Sequence, residues 1–168
     1  VILGSSLPFF QPETMETYLG PDRHYTLNGL FREADQVGRA SLIAKQARKL
    51  LGAPYAWGGR GVLGVDCSGF IQLVFKLAGI VLPRDSYQQA RAGSPVEDFQ
   101  EARAGDLAFF TNKNGRIAHV GILLPDGEII HAYGQVRIDK LTPAGIVQAH
   151  TGKQTHTLAN IQRIIQQS

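Results

Sequence analysis

Residues 105–133 read GDLAFFTNKNGRIAHVGILLPDGEIIHAY, and this stretch decides the fold class. Asp106–Thr111 and Ile117–Leu124 are short apolar runs that read as strands. Asn112–Gly115 between them carries an Asn-Gly turn signal. Pro125-Asp126-Gly127 marks a second turn, and Glu128–Tyr133 a third strand. Further along, Val136–Asp139 and Ile161–Ile165 are strand candidates. Consecutive strands joined by tight turns predict an antiparallel sheet.

Upstream the period becomes helical. Ser41 can cap a helix whose apolar positions are Ile43, Ala47, Leu50 and Leu51, with Gly52 and Pro54 as stop signals. A glycine-rich stretch follows, Gly58-Gly59-Arg60-Gly61 and then Gly64. A second helix starts near Asp66–Cys67, presents Phe70, Ile71, Val74, Leu77 and Ala78, and ends at Gly79. Pro83–Gln89 reads as a loop turning into a short helix. Helices first and an antiparallel sheet second is an α+β pattern, with the helices packed against the sheet. Residues 1–38 lack sustained periodicity and read as loop and short strand, an N-terminal extension to a domain over 39–168. The chain opens Val1-Ile2-Leu3-Gly4, and no signal peptide is legible in it.

Composition narrows the function classes. The 168 residues are 43% hydrophobic and 18% charged, which fits a globular domain and argues against disorder. No apolar run approaches the roughly 20 residues of a membrane helix. The net charge of +3 is too mild and scattered for a nucleic-acid surface. A single cysteine excludes an internal disulfide and a cysteine-cluster metal site.

That cysteine, Cys67, sits at a predicted helix N-terminus, where unpaired N–H groups and the helix dipole favour a thiolate. A buried structural cysteine is the plain alternative. His119 and His131 each interrupt an apolar strand. If Pro125-Asp126-Gly127 is a three-residue loop, His131 faces Gly121 and the two histidines are diagonal neighbours on one sheet face. A two-residue loop puts them on opposite faces. In the first register His119 would hold Cys67 as a thiolate in an ion pair and then protonate a leaving amine, with His131 orienting His119. Zinc binding by the cysteine and two histidines competes, but lacks a close fourth ligand. The remaining histidines His24, His150 and His156 read as surface or structural residues, and Arg137, Lys140 and Lys153 as a solvated face.

Four segments together resemble the NlpC/p60 cell-wall cysteine peptidases, a compact papain-like family. They are Tyr55-Ala56-Trp57-Gly58-Gly59, Asp66-Cys67-Ser68-Gly69-Phe70, His119-Val120-Gly121-Ile122 and His131-Ala132. The resemblance spans about residues 40–165. It implies an α+β papain-like core with the nucleophile on a helix, no cofactor or metal, and hydrolysis of peptidoglycan stem peptides between D-glutamate and a diamino acid. By it, Cys67 matches the nucleophile, His119 the base and His131 the third triad member. Tyr55 matches a tyrosine placed near the oxyanion.

Pro83-Arg84-Asp85-Ser86-Tyr87-Gln88-Gln89 resembles a loop of the γ-D-glutamyl-L-diamino acid endopeptidase subgroup, which cuts after an unblocked L-Ala-γ-D-Glu dipeptide. The likeness implies that Asp66 and Asp85 face the free amine of L-Ala, while Arg84 and Ser86 hold the D-Glu carboxylate and Ser68 adjoins them. Asp66 as a plain helix cap, and Arg84 as a solvated charge, are the alternatives. That subgroup carries a preceding small barrel, so residues 1–38 are expected to be its remnant or linker. The expected partner is a stem peptide, with no nucleic acid and no membrane span, and the expected state is a monomer. A non-catalytic wall-binding module, or an acyltransferase or amidase using the same Cys-His-His set, stands as the alternative. The compartment, cell envelope or cytoplasmic recycling in a bacterium, stays open.

Overall fold

The computed structural model of the chain describes residues 40–61 and 63–165 in full, and 16–18 and 24–26 as backbone. Those last two segments are strands β1 (Glu16–Tyr18) and β2 (His24–Thr26), paired antiparallel with Thr17 opposite Tyr25. The rest of the 1–38 extension lies outside the described residues.

Helix α1 (Ala40–Arg48) begins one residue before the expected Ser41 cap and buries Ile43 and Ala47. The glycine-rich stretch forms a small hairpin, β3 (Arg60–Gly61) with β4 (Gly64–Val65). It leads into α2 (Cys67–Leu77), N-capped by Asp66. The Pro83–Gln89 segment ends in α3 (Ser86–Gln89). The strands that follow are β5 (Ser94–Pro95), β6 (Leu107–Thr111), β7 (Ile117–Leu123) and β8 (Glu128–Tyr133). After them come β9 (Gln135–Thr142), β10 (Gly145–Val147) and β11 (Gln154–Arg163).

These strands form one antiparallel sheet in the order β10-β9-β8-β7-β6-β11-β5. A further β10–β11 pairing closes six of them into a barrel-like ring. Closure needs Gly145: its φ is 139°, and a Cβ there would lie 1.8 Å from the carbonyl oxygen of His156. Closure is also where the structure departs from the sequence expectation. β10 was not expected, and β11 starts seven residues before Ile161. Its first half, Gln154–Asn160, is polar and half-exposed, so it carries no apolar signal. Its strand identity comes from ladder bonds to β6 and β10.

The β7–β8 connection is the three-residue loop. Gly121 stands opposite His131 and Ile122 opposite Ile130. Leu124 N–H donates to the Glu128 carbonyl at 2.9 Å. Asp126 and Gly127 both take left-handed backbone, φ 62° and 71°. Asp and Gly are among the residues that tolerate that region best.

Alternation then sorts the side chains. Leu107, Phe109, Val120, Ile122, Ile130 and Ala132 belong to the core shared with α1 and α2. Ala108, Phe110, Leu123, Ile129, Leu141, Ile146 and Ile161 form a second core on the other face, inside the ring. His119 and His131 share the parity of Leu123 and Ile129, so they belong to that inner face. Helix α2 is more buried than its expected stripe, adding Leu73 and Phe75, because α1 contacts it as well as β7 and β8. Each fully buried phenylalanine, such as Phe70 or Phe109, contributes about 2–3 kcal/mol through burial. No described helix is long and apolar enough to cross a membrane.

Candidate active site

The start of α2 is built from four consecutive residues with separate tasks. Asp66 caps the helix, accepting from Gly69 N–H at 2.7 Å. Gly69 leaves room for the glycine-rich stretch: a Cβ there would meet the Gly59 oxygen at 2.1 Å. That oxygen also accepts from Asp66 N–H at 3.1 Å. Cys67 is thereby fixed as the first residue of the helix, 9% exposed, with its thiol 3.8 Å from the Ala118 carbonyl oxygen on β7.

One residue on from Ala118 a polar chain begins. His119 Nε2 lies 2.8 Å from His131 Nδ1. His131 Nε2 lies 3.0 Å from Asp139 Oδ2. The carboxylate only accepts, so the neutral arrangement that satisfies the chain places the His131 proton on Nε2. His131 Nδ1 then accepts from His119 Nε2–H, and the lone pair of His119 is left on Nδ1. That is the tautomer a base needs.

Asp139 is buried and also holds Arg137 Nε at 2.7 Å, Arg137 Nη2 at 2.9 Å and Ala149 N–H at 3.0 Å. Burial opposes its charge. The hydrogen bonds from His131, Ala149 and Arg137 outweigh burial and bring its pKa down to about 2.

An open cleft of about 670 Å³ reaches the His119 end of this series. Cys67, His119, Tyr55, Tyr133 and His156 line it, with Thr111, Asn112 and Lys113 from the β6–β7 turn and Thr155 and Thr157 from β11. Tyr55 is half-buried, and its backbone N–H donates to the Gly134 carbonyl at 3.0 Å. Burial, with Cys67 and Asp66 adding to it, raises its pKa, so the phenol stays a donor.

Burial first, then the Asp66 charge, push the Cys67 thiol up, against the backbone N–H groups of Ser68, Val120 and Cys67 itself. Burial, then the fields of His131 and His156, hold His119 well below the usual imidazole value. Taken singly, both shifts favour the uncharged forms, because burial disfavours a charge on either group; they run against the thiolate–imidazolium ion pair expected from the sequence.

Beside the cysteine, Asp66, Ser68 and Arg84 form one cluster. Arg84 Nη1 donates to Asp66 Oδ1 at 3.1 Å and to Ser68 Oγ at 2.9 Å, and Nη2 pairs with Asp66 Oδ2. Gly58 N–H adds a donor to Oδ2 at 3.0 Å. Burial works against the Asp66 charge, but the Arg84 hydrogen bond, the Gly69 and Gly58 amides and the guanidinium charge lower its pKa. Asp66 is thus charge-balanced and saturated with donors. This differs from the expected picture of Asp66 and Asp85 as two bare carboxylates with Arg84 uncommitted. Asp85 is exposed, leads into α3 and makes no ion pair among the described residues. Ser86, half-buried, is the first residue of α3. Gln89 ties this loop to α2 by donating from Nε2 to the Ser68 carbonyl at 3.1 Å and the Pro83 carbonyl at 2.8 Å.

Sequence reasoning missed three residues. Asp139 was seen only as the end of a strand, although two positions beyond the partner of His131 is a diagonal site on the same face. Arg137 was assigned to a solvated face and instead pairs with Asp139. His156 reads from the sequence as a surface or structural residue with no part in the site, and it stacks on His119, with ring centroids 4.2 Å apart and planes 25° apart. His150 is exposed, with Nδ1 3.0 Å from Arg137 Nη2.

Known proteins give this geometry a context. The γ-D-glutamyl-L-lysine dipeptidyl-peptidase of Bacillus subtilis is 41% identical over 101 residues, 59% of this chain and 34% of that protein. The probable endopeptidase p60 of Listeria welshimeri is 45% identical over 105 residues, 62% of this chain and 20% of that one. The crystal structure of an NlpC/P60 family protein from Bacillus cereus superposes with a TM-score of 0.67 at 32% identity, over 77% of this chain and 41% of that one. The chain thus spans about a third of the length of the Bacillus subtilis relative and a fifth of the Listeria one. The NlpC/P60 family model matches residues 52–155, which take in Tyr55, the Cys67 helix and both strand histidines, and by that match the chain belongs to the NlpC/P60 family.

Proposed function

We propose that the chain is a bacterial cysteine peptidase that hydrolyses peptidoglycan stem peptides at the γ-D-glutamyl–diamino acid bond by a papain-like mechanism. The observation that carries the reading is the His119–His131–Asp139 chain reaching the cleft that Cys67 lines. The peptidase activities for which the Bacillus and Listeria relatives are named support it.

The chemistry starts from the uncharged forms. His119 Nδ1 takes the thiol proton as Sγ attacks the γ-D-glutamyl carbonyl. The developing oxyanion is met by the Cys67 N–H and the Tyr55 hydroxyl, both at the cleft. His119 then passes the proton to the leaving amine and the acyl-enzyme forms. Water, activated by the same imidazole, releases the acid and restores the thiol. His131 and Asp139 keep the imidazole in the tautomer that begins each half-reaction.

For substrate selection, the Asp66–Ser68–Arg84 cluster and the neighbouring Asp85 and Ser86 form the acyl-side subsite. With Asp66 neutralised by Arg84, the exposed Asp85 is the group that recognises a free L-Ala ammonium. Residues 39–168 form the peptidase domain, and residues 1–38 a linker to, or remnant of, a small barrel. The test is mass-spectrometric turnover of L-Ala-γ-D-Glu-meso-diaminopimelate with its amine free and with it acetylated. Cleavage of the free peptide alone supports the peptidase and the amine subsite. Cleavage of both removes the amine subsite. No cleavage of either, or full turnover by Cys67→Ala, overturns the mechanism.

A further inference from the structure

His156 is the one imidazole in the cleft that the mechanism above does not use. It comes from the polar half of β11 that closes the ring against β10. Its ring lies almost face to face on His119, at 4.2 Å and 25°. Thr155 Oγ1 lies 2.8 Å from its Nδ1, and the Tyr133 ring meets it edge-on at 5.0 Å. Phe110 leans on His119 at 5.8 Å and 44°, and His131 at 5.1 Å and 82°. His119 is therefore enclosed by Phe110, His131 and His156.

We propose that His156 is a positioning residue: stacked on His119, it fixes the plane of that ring against His131 and covers one of its faces from water. The inference rests on the peptidase reading only for its catalytic consequence. The titratable and charged groups that face the pair are Tyr55 before β3, Cys67 on α2, Lys113 in the β6–β7 turn, His131 and Tyr133 on β8, and Asp139 on β9.

Two effects act in the same direction. Covering one face of His119 removes water that would solvate an imidazolium, and burial is the first cause of its lowered pKa. His156 itself is held near pKa 4, by burial first and His131 second, so it is uncharged across the working range. If it does gain a proton, it becomes a like charge against His119 and opposes protonation further.

The experiment compares wild type with His156→Ala and His156→Phe, after circular dichroism and thermal melting confirm that each is folded. The histidine ring signals are titrated by NMR and the pH profile of kcat/KM is measured on the free L-Ala-γ-D-Glu-diaminopimelate peptide. In His156→Ala the His119 titration moves up toward the ordinary value, and the ratio of turnover at pH 5 to that at pH 7 falls by about threefold or more. kcat falls with little change in KM. His156→Phe keeps the flat cover without the titrating group, so it recovers most of the kcat loss and keeps His119 low. A residue that merely supported the fold would lower the melting temperature and leave the titration in place. An unmoved His119 titration in folded His156→Ala overturns the proposal, as does failure of Phe to rescue. The NMR titration needs no turnover, so a wild type that cleaves neither peptide refutes the peptidase reading while His119 still reports on His156.

Discussion

Replacing Asp139 by Asn tests the polar chain at the point farthest from the substrate. The side chain keeps its shape, and only its donor pattern changes. Oδ1 accepts from Arg137 Nη2 and Ala149 N–H, while Oδ2 accepts from His131 Nε2 and has Arg137 Nε beside it as an ion-pair partner without a hydrogen bond. An amide nitrogen at the Oδ1 position would oppose two donors. At the Oδ2 position it meets the Arg137 guanidinium only as a neighbouring charge, and it can donate to His131 if that ring gives up its Nε2 proton. The second orientation wins. His131 then carries its proton on Nδ1 and donates it to His119 Nε2. His119 is forced to hold its own proton on Nδ1, the nitrogen that should receive one from Cys67.

Fixing the wrong tautomer of a directly bonded histidine costs about ten-thousandfold in a serine-protease triad. Here the change acts through one more ring, and the minor tautomer is reachable at some cost. We expect kcat to fall about 10²–10³-fold, or about 3–4 kcal/mol of activation free energy. Arg137 keeps part of its solvation, since its side chain is 20% exposed. The fold should therefore lose about 2 kcal/mol, less than a fully buried broken pair. Turnover of the free stem peptide gives the first number, urea unfolding the second. Alkylation of Cys67 by iodoacetamide should slow alongside kcat, because thiol deprotonation needs the same nitrogen. A folded Asp139→Asn protein with kcat within threefold of wild type would refute the tautomer argument.

Three further outcomes follow from the same geometry. Gly69→Ala drives a Cβ into the Gly59 oxygen, and the 58–60 segment must retreat from α2. A loss of about 2–3 kcal/mol in urea unfolding is expected, and a loss under 0.5 kcal/mol would show that the close approach is not needed. Arg84→Met removes two arms from the part-buried Asp66 and leaves its charge acting on Cys67. Stability should drop by about 2 kcal/mol and the alkylation profile of Cys67 should move to higher pH; a profile moving lower contradicts the charge-balance reading. Acid should weaken the fold in a defined window. His156 has its folded pKa lowered from 6.5 to about 4, so the unfolded chain takes up the proton first and stability falls as pH drops from 6.5 to 4, by at most about 3 kcal/mol. His119 acts in the same direction. Asp139, lowered from 3.8 to about 2, loses its contribution below that, as pH falls through 3.8 toward 2. Urea midpoints at pH 7, 5 and 4 measure the slope, and His156→Phe should flatten it.

The sheet hairpins were legible because their signals are local. Pro125-Asp126-Gly127 supplies two residues suited to left-handed backbone, and that fixes the loop length. Loop length fixes the register, and the register puts His119 and His131 on one face. The helix at Cys67 was legible for the same reason, through an Asp cap and a run of apolar residues after it. Ring closure was not. It depends on β10 and the polar half of β11, whose pairing is between segments that carry no apolar period, and on Gly145, whose need is visible only once the His156 carbonyl is beside it. The three missed residues share one cause. Arg137 and Asp139 lie on β9, which the ring links to β10, and His156 lies on β11; with the ring left open, each reads as an exposed polar position.

The expected charge state of the pair rests on the same local reading. A cysteine at a helix start beside a histidine suggests an ion pair when only the helix dipole and the pairing are counted. Enclosure by Phe110, His131 and His156 changes the sign of the outcome, because it removes water from His119 faster than it adds opposite charge. The carboxylate at the end of the hydrogen-bonded series, Asp139, acts on His131, one ring away. The charge on His119 is therefore deferred to the moment when sulfur gives up its proton to a carbonyl under attack. Its base strength is set by closure of the ring rather than by the spacing of Cys67, His119 and His131 in the sequence.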